Sequence, residues 1–220
     1  RRHTRSFHVT GVQTCALPIC DGVTGVDLGV STAATLSSGE KITAPRPLKA
    51  MLRRLRIRSR CLSRNLEAAK ASAKITGSIL KGTRLPVSKN QIKRTRALAR
   101  LHARIAHVRA DFMHKLTTRL CRENQTVAIE DLNVSGMLAN SRLARAIADV
   151  GFHAFRRQLE YKKIRYGTIL VLADRWYPSS KLCSKCGQRY GSLNLGSRVW
   201  VCPSCNTRHD RDVNAAINLQ

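Results

Sequence analysis

The sequence predicts an α/β domain carrying two inserts, a basic antiparallel helical hairpin and a four-cysteine ribbon. Three observations predict it. Short strand-like segments recur around Asp27, Glu130 and Val171. A leucine-rich helical period fills the long gap between the first two segments. Two CxxC pairs, Cys183/Cys186 and Cys202/Cys205, interrupt the path to a last apolar helix. At 220 residues the chain has the bulk for one domain with a real core.

The first segment reads as a meander. Thr24 to Val30, with Asp27 between glycines, is followed by Thr32–Leu36, a Ser37-Ser38-Gly39 turn and Lys41–Thr43, and Pro45 and Pro47 end it. Leu48, Leu52, Leu55, Leu62 and Leu66 then keep a near-heptad spacing. After a break containing Gly77, Gly82 and Pro86, Leu98, Leu101, Ile105, Val108, Phe112, Leu116 and Leu120 do the same. Two amphipathic helices joined by a short loop should pack antiparallel. Thr126–Leu132 is a strand ending in Glu130 and Asp131. Ser141–Tyr166 reads as one helix with Leu143, Ile147, Val150, Phe155, Leu159 and Ile164 on a common face, and Thr168–Ala173 as an apolar strand.

Lys and Arg number 40 against 13 Asp and Glu, a formal charge of +27, which implies a polyanionic partner, nucleic acid first of all. From Arg46 to Lys115 there are 20 basic and 2 acidic residues. A solvated helix mixes signs so that residues one turn apart can pair, and this stretch does not. Arg53, Arg54, Arg60, Arg64, Arg94 and Arg104 fall off the apolar seam and are expected to bind phosphates. His102, His107 and His114 are expected on a polar helix face. Trp176 and Trp200 could stack bases or pack against the ribbon. No apolar run approaches the roughly 20 residues a membrane span needs. The CxxC pairs, with no secretory signal before them, point to a reducing cytoplasm.

Fifteen residues separate Cys186 from Cys202, and four thiolates at this spacing suit one tetrahedral, structural Zn²⁺. His209 is expected to support that cluster from outside it. Cys15, Cys20, Cys61 and Cys121 show no ligand spacing. Asp27, Glu130 and Asp212 each stand at a strand end or helix start. Separated carboxylates of this kind are how an RNase H-like sheet gathers Mg²⁺, commonly two ions, to hydrolyse a phosphodiester. Singly each acid has another reading: Asp27 as a turn residue, Glu130 as a satisfied strand-end acid, Asp210 or Asp212 as a helix N-cap.

GVDLGV from Gly25, VAIEDLNVSGM from Val127, YPSSKLCSKCG from Tyr177 and WVCPSCNTRHDRDVNAAINL from Trp200 together resemble the TnpB (OrfB) proteins of insertion sequences, relatives of the type V CRISPR effectors. The resemblance runs from about Val23 to Leu219. It implies an RNA-guided DNA endonuclease, partnered by DNA and a guide RNA. The implied fold is an RNase H-like (RuvC-type) nuclease domain over residues 20–220, with the hairpin inserted at 48–122 and the zinc ribbon at 179–209. It also implies Asp27, Glu130 and Asp212 as the Mg²⁺-binding catalytic triad, Asp212 rather than Asp210 because the family's third acid precedes the x-N-A-A run. Cys183, Cys186, Cys202 and Cys205 correspond to its zinc ligands. A non-catalytic zinc-ribbon nucleic-acid binder and a strand-transferring transposase are the rival readings, and nothing in the sequence sets an oligomeric state.

Two departures from the family pattern give further expectations. Its members carry a large recognition region before the first catalytic strand and often a variable tail, so this chain is expected to be the nuclease half of a longer parent. Val9–Ile19 reads as the translation of a sequencing-library adapter, and residues 1–19 are expected to be non-native. Without Arg1, Arg2 and Arg5 the formal charge falls only from +27 to +24. Amplification of the locus from source DNA checks this, with the adapter codons expected to be missing.

Overall fold

The computed structural model describes residues 22–73, 85–194 and 196–220. The expected adapter-derived segment and Gly77 and Gly82 of the expected interhelical break lie outside them. A five-stranded sheet has the order β3-β2-β1-β4-β5. It is built from β1 (Val23–Asp27), β2 (Ala34–Leu36), β3 (Lys41–Ile42), β4 (Thr126–Glu130) and β5 (Ile169–Ala173). The meander β1-β2-β3 is antiparallel, while β4 pairs parallel with both β1 and β5. The central strands are buried, with Val26, Val127 and Ile129 at 0% exposure, which explains the unbroken apolar run Val127–Ile129 of β4. On β5 the apolar side chains Ile169, Val171 and Leu172 are exposed instead.

Between β3 and β4 run α1 (Pro47–Ser72) and α2 (Lys89–Glu123). They lie side by side with opposite polarity: Arg58 donates to the Ala97 carbonyl, and Arg94 to the Cys61 carbonyl and the Asn65 side chain. The leucines of α1 are half-buried against α2. Farther along, Met113, Leu116 and Leu120 of α2 enter the main core under the sheet. No side chain of its own caps α1. Asp149 does so from another helix, accepting from the Leu48 and Lys49 N–H groups at 2.9 Å.

The single helix expected over Ser141–Tyr166 is two helices, α4 (Ala144–Val150) and α5 (Phe152–Tyr166), preceded by a short α3 (Val134–Ala139). Gly151 makes the break at φ +85°, the left-handed conformation that ends a helix cheaply only at glycine. Arg109 of α2 packs against it and donates to the Ala148 carbonyl. Leu143, just before α4, and Ile164, five residues past Leu159 on α5 and so turned about 140° from it, are exposed, while Ile147, Val150, Phe155 and Leu159 are in the core. Lys162 locks α5 to α2, its ammonium donating to the His114 carbonyl and to the Thr117 and Thr118 hydroxyls at 2.7–2.8 Å.

A one-turn helix (Ser179–Lys181) leads into the cysteine module, whose β6 (Val199–Val201) and β7 (Arg208–Asp210) form an antiparallel pair. The last helix, α6 (Arg211–Leu219), returns to the sheet. It lies on the face opposite the main core and very close to β1. A Cβ at Gly25 would stand 1.9 Å from the Ala216 carbonyl oxygen. Among the described residues no helix is long and apolar enough to cross a membrane.

Candidate active site and metal centre

Alternate strand residues face opposite sides. Val26, Val127 and Ile129 join the main core, so Gly25, Asp27, Ala128 and Glu130 face α6. The parallel register sets Gly25 beside Ala128 and Val26 beside Ile129, which carries Asp27 alongside Glu130 at the carboxyl end of the sheet. Asp212 precedes Ala216, the residue packed on Gly25, by about one helical turn, or about 6 Å. That offset brings Asp212 toward the same end. The three acids feel one another there. Burial, then the negative charges of Glu130 and Asp212, push the Asp27 carboxyl up to about 7, against the pull of Arg211 and Arg198.

Each of the other acids has a distinct hold. Glu130 accepts a hydrogen bond from the Ser179 hydroxyl. Asp212 pairs with Arg198 at 3.2 Å. Asp210 is the N-cap of α6, accepting from the Asp212 and Val213 N–H groups at 3.2 Å, and it binds Lys41 at 2.6 Å. Burial opposes its charged form, but Lys41 and the cap bonds prevail and hold its carboxyl below the ordinary range. The two neighbouring aspartates thus have different partners, Asp210 capping the helix and binding Lys41 while Asp212 pairs with Arg198 and bears on Asp27 through its charge. Arg175 and Arg156 hold Asp131 likewise below the usual carboxylate range.

The four cysteines converge. Cys183, Cys186, Cys202 and Cys205 place their sulfurs all within 4.8 Å of one another, with Cys183–Cys205 and Cys186–Cys202 at 3.6 Å. Four Zn–S bonds of about 2.3 Å make a tetrahedron with edges of about 3.8 Å, so the donor set fits this ion. His209 stands beside the cluster, its Nε2 3.0 Å from the Cys183 sulfur and its ring against Trp200. Burial keeps its imidazole below its ordinary value. Trp200 is buried between His209 and Tyr190, which rules out base stacking by it as placed, whereas Trp176 is 86% exposed.

The family model OrfB_IS605, "Probable transposase", matches residues 21–141. The chain belongs to the TnpB/OrfB family. A second model, the Cas12f1-like TNB domain, matches residues 152–219 of this TnpB-family chain. A Streptomyces pristinaespiralis protein described as "Putative RNA-guided DNA endonuclease" is 47% identical over 92% of the chain and 45% of its own length. One from Mycobacterium tuberculosis, described in the same words, is 39% identical over 93% of the chain and 42% of its own length. The chain therefore spans less than half of these relatives. Among solved structures, Cas12f1 in a complex with single-guide RNA and target DNA shares the fold. Its TM-score is 0.55 at 19% identity, covering 89% of this chain and 48% of that one.

The TnpB-family chain presents Arg53, Arg54, Arg60, Arg64 and Arg104 exposed on α1 and α2. Arg94 is exposed as well, and its guanidinium also joins the two helices through Cys61 and Asn65, at 2.6 Å to the latter. An arginine at the margin of an antiparallel pair can reach across it while staying off the apolar seam. His102 and His107 are exposed as expected, and His114 contacts Tyr161 at 3.4 Å. Beside Glu130 opens a cleft of about 450 Å³, lined in part by Leu28, Asn133, His153, Arg157 and Arg175. Sequence reading missed the amides of Asn214 and Asn218, which hold the segment before the first cysteine pair. Both donate to the Leu182 carbonyl at 2.7 Å, and Asn218 also to that of Ser179 at 2.7 Å. Two amides one turn apart on an apolar helix were the available signal. Ser179 and Arg198 carried none.

Proposed function

We propose that this chain is the nuclease part of a TnpB-type RNA-guided DNA endonuclease, with Asp27, Glu130 and Asp212 as the Mg²⁺-binding triad of an RNase H-like (RuvC-type) sheet. The observation that supports it most is the convergence of three acids, more than 80 residues apart along the chain, at one end of adjacent parallel strands. Carboxylate oxygens are the donors that Mg²⁺ takes, and three of them crowded together favour a divalent counter-charge. Ions bound there would polarise the phosphodiester and activate a water at neutral pH. The chain's own part is to fix Asp27 and Glu130 on rigid strands, to bring Asp212 from the first turn of α6, and to leave the adjacent cleft open to a nucleic-acid strand. In this reading Arg53, Arg54, Arg60, Arg64 and Arg104 hold DNA or guide-RNA phosphates, and base pairing with the guide selects the sequence. The zinc is structural, since four thiolates leave no open position.

Single-turnover hydrolysis of end-labelled DNA, in Mg²⁺ against Ca²⁺, tests the reading. Asp27→Ala, Glu130→Ala and Asp212→Ala should each lower the rate on the order of 10³-fold with DNA binding retained. Undiminished Mg²⁺-dependent cutting in all three would remove the triad. Joining of a 3′ end to a second DNA would indicate strand transfer instead.

A further inference from the structure

The geometry points to Ser179 as a positioning residue that ties the cysteine module to the acid cluster. In this arrangement the zinc ribbon sets how well Glu130 holds a divalent cation. The inference rests on the proposed Mg²⁺ role of Glu130. It goes beyond that role because it assigns the orientation of this carboxylate to a hydroxyl on another element.

The connection can be followed atom by atom. The Ser179 hydroxyl donates to Glu130 Oε1. Ser179 is only 4% exposed, so water does not readily replace it. Its carbonyl accepts from the Asn218 amide at 2.7 Å, and the same amide reaches the Leu182 carbonyl at 2.7 Å. Asn214, 1% exposed, donates to Leu182 as well, while its own oxygen accepts from the Ser184 N–H at 2.9 Å. Ser184 lies between the ligands Cys183 and Cys186. One continuous hydrogen-bonded strut thus runs from the first cysteine pair, through the buried amide of Asn214 and the half-buried amide of Asn218 on α6, to the carboxylate of β4. The same α6 carries Asp212 in its first turn.

Two physical consequences follow. A carboxylate that accepts one fixed hydrogen bond keeps one rotamer and presents its other oxygen in a constant direction. Removing such a partner from a metal-binding carboxylate typically weakens metal binding 10–100-fold. The anchor of the strut is the cysteine cluster, so loss of zinc frees the segment around Leu182 and Ser184 and with it the Ser179 hydroxyl. Zinc loss and loss of the hydroxyl then act through one path and must be non-additive.

The test is Mn²⁺ binding to the zinc-loaded chain, followed by electron paramagnetic resonance of free Mn²⁺. Zinc content and melting temperature are recorded alongside. Ser179→Ala should keep its zinc and its melting temperature within a few degrees, yet bind Mn²⁺ roughly 10–100-fold more weakly. Ser179→Thr, which keeps a hydroxyl, should recover most of the affinity. A Cys186→Ser chain, lacking zinc, should lose affinity by a similar factor, and adding Ser179→Ala to it should change little further. Unaltered Mn²⁺ affinity in a folded, zinc-loaded Ser179→Ala chain overturns the strut while leaving the triad standing. A native chain that binds no Mn²⁺ removes the triad and the strut together. If Ser179→Ala fails to fold, additivity of Cys186→Ser with Asn218→Ala in Mn²⁺ affinity overturns the strut, and non-additivity supports it.

Discussion

The cysteine cluster and the acid cluster gather their ligands by opposite routes. The four thiols come from two short turns within 23 residues, and their sulfurs already lie within 4.8 Å of one another. The three acids come from β1, β4 and α6, and no local rule brings them together. They meet only because the parallel register aligns β1 with β4 and because α6 presses on Gly25. A local site stands or falls with its ion, whereas an assembled site stands or falls with packing that lies away from it. Charge differs too. The Asp27 carboxyl is raised by burial first and then by repulsion from Glu130 and Asp212, relieved in part by Arg211 and Arg198.

The largest effect is expected on the local side. Cys202, 0% exposed, is one of the four clustered thiols of the proposed zinc site. Cys202→Ser should abolish zinc stoichiometry and unfold residues of the module, removing on the order of 10 kcal/mol of metal-linked folding energy. Hydrogen exchange should rise in β6 and β7 and leave β1 and β4 protected, and uniform exchange across both would erase the contrast. Next comes Gly25→Ala, which touches neither site. The new methyl would meet the Ala216 carbonyl oxygen, so α6 must move, at a cost of about 1–3 kcal/mol in chemical denaturation. It should also weaken divalent binding by displacing Asp212, with zinc content unchanged. Unchanged Mn²⁺ affinity in this variant would show that α6 does not set the acid geometry.

A smaller effect is expected from pH. Asp27 holds its proton until about 7 instead of 3.8. A cation must displace that proton, so affinity should fall about tenfold for each unit below 7 and level off above it. The sign for stability is the reverse of the usual carboxylate case. Because the folded chain binds the proton more tightly than the unfolded one, cation-free stability falls as pH rises from about 3.8 to about 7. Melting temperatures in metal-free buffer, and again with Mn²⁺ at pH 8, check both statements. The smallest effect belongs to Arg198→Gln. This exposed pair with Asp212 should be worth under about 1 kcal/mol, so the variant should bind Mn²⁺ a few-fold more tightly at low salt and equally at high salt.

The same contrast explains what could be read from the sequence. The clustering of the four cysteines was legible because spacing alone brings the two CxxC pairs together. Asp27, Glu130 and Asp212 could be named from their places at strand and helix ends, and through resemblance to a family, but their meeting is a tertiary fact. The break at Gly151 escaped the helical period because Phe155 and Leu159 continue the pattern in register with Ile147 and Val150, although the backbone turns between them. The bridge that Arg94 makes to Cys61 and Asn65 was not legible for a similar reason, since a side chain that spans two helices and one that only faces solvent share the same spacing. The capping of α1 by Asp149 had no local signature at all, because donor and acceptor lie about 100 residues apart.

Mn²⁺ titration of the zinc-loaded chain beside Asp27→Asn, Glu130→Gln and Asp212→Asn tests the shared acid site most directly. The native chain should bind Mn²⁺, and each single amide should weaken the same binding event by at least tenfold, with zinc retained throughout. Equal Mn²⁺ affinity in the native chain and all three variants would contradict it.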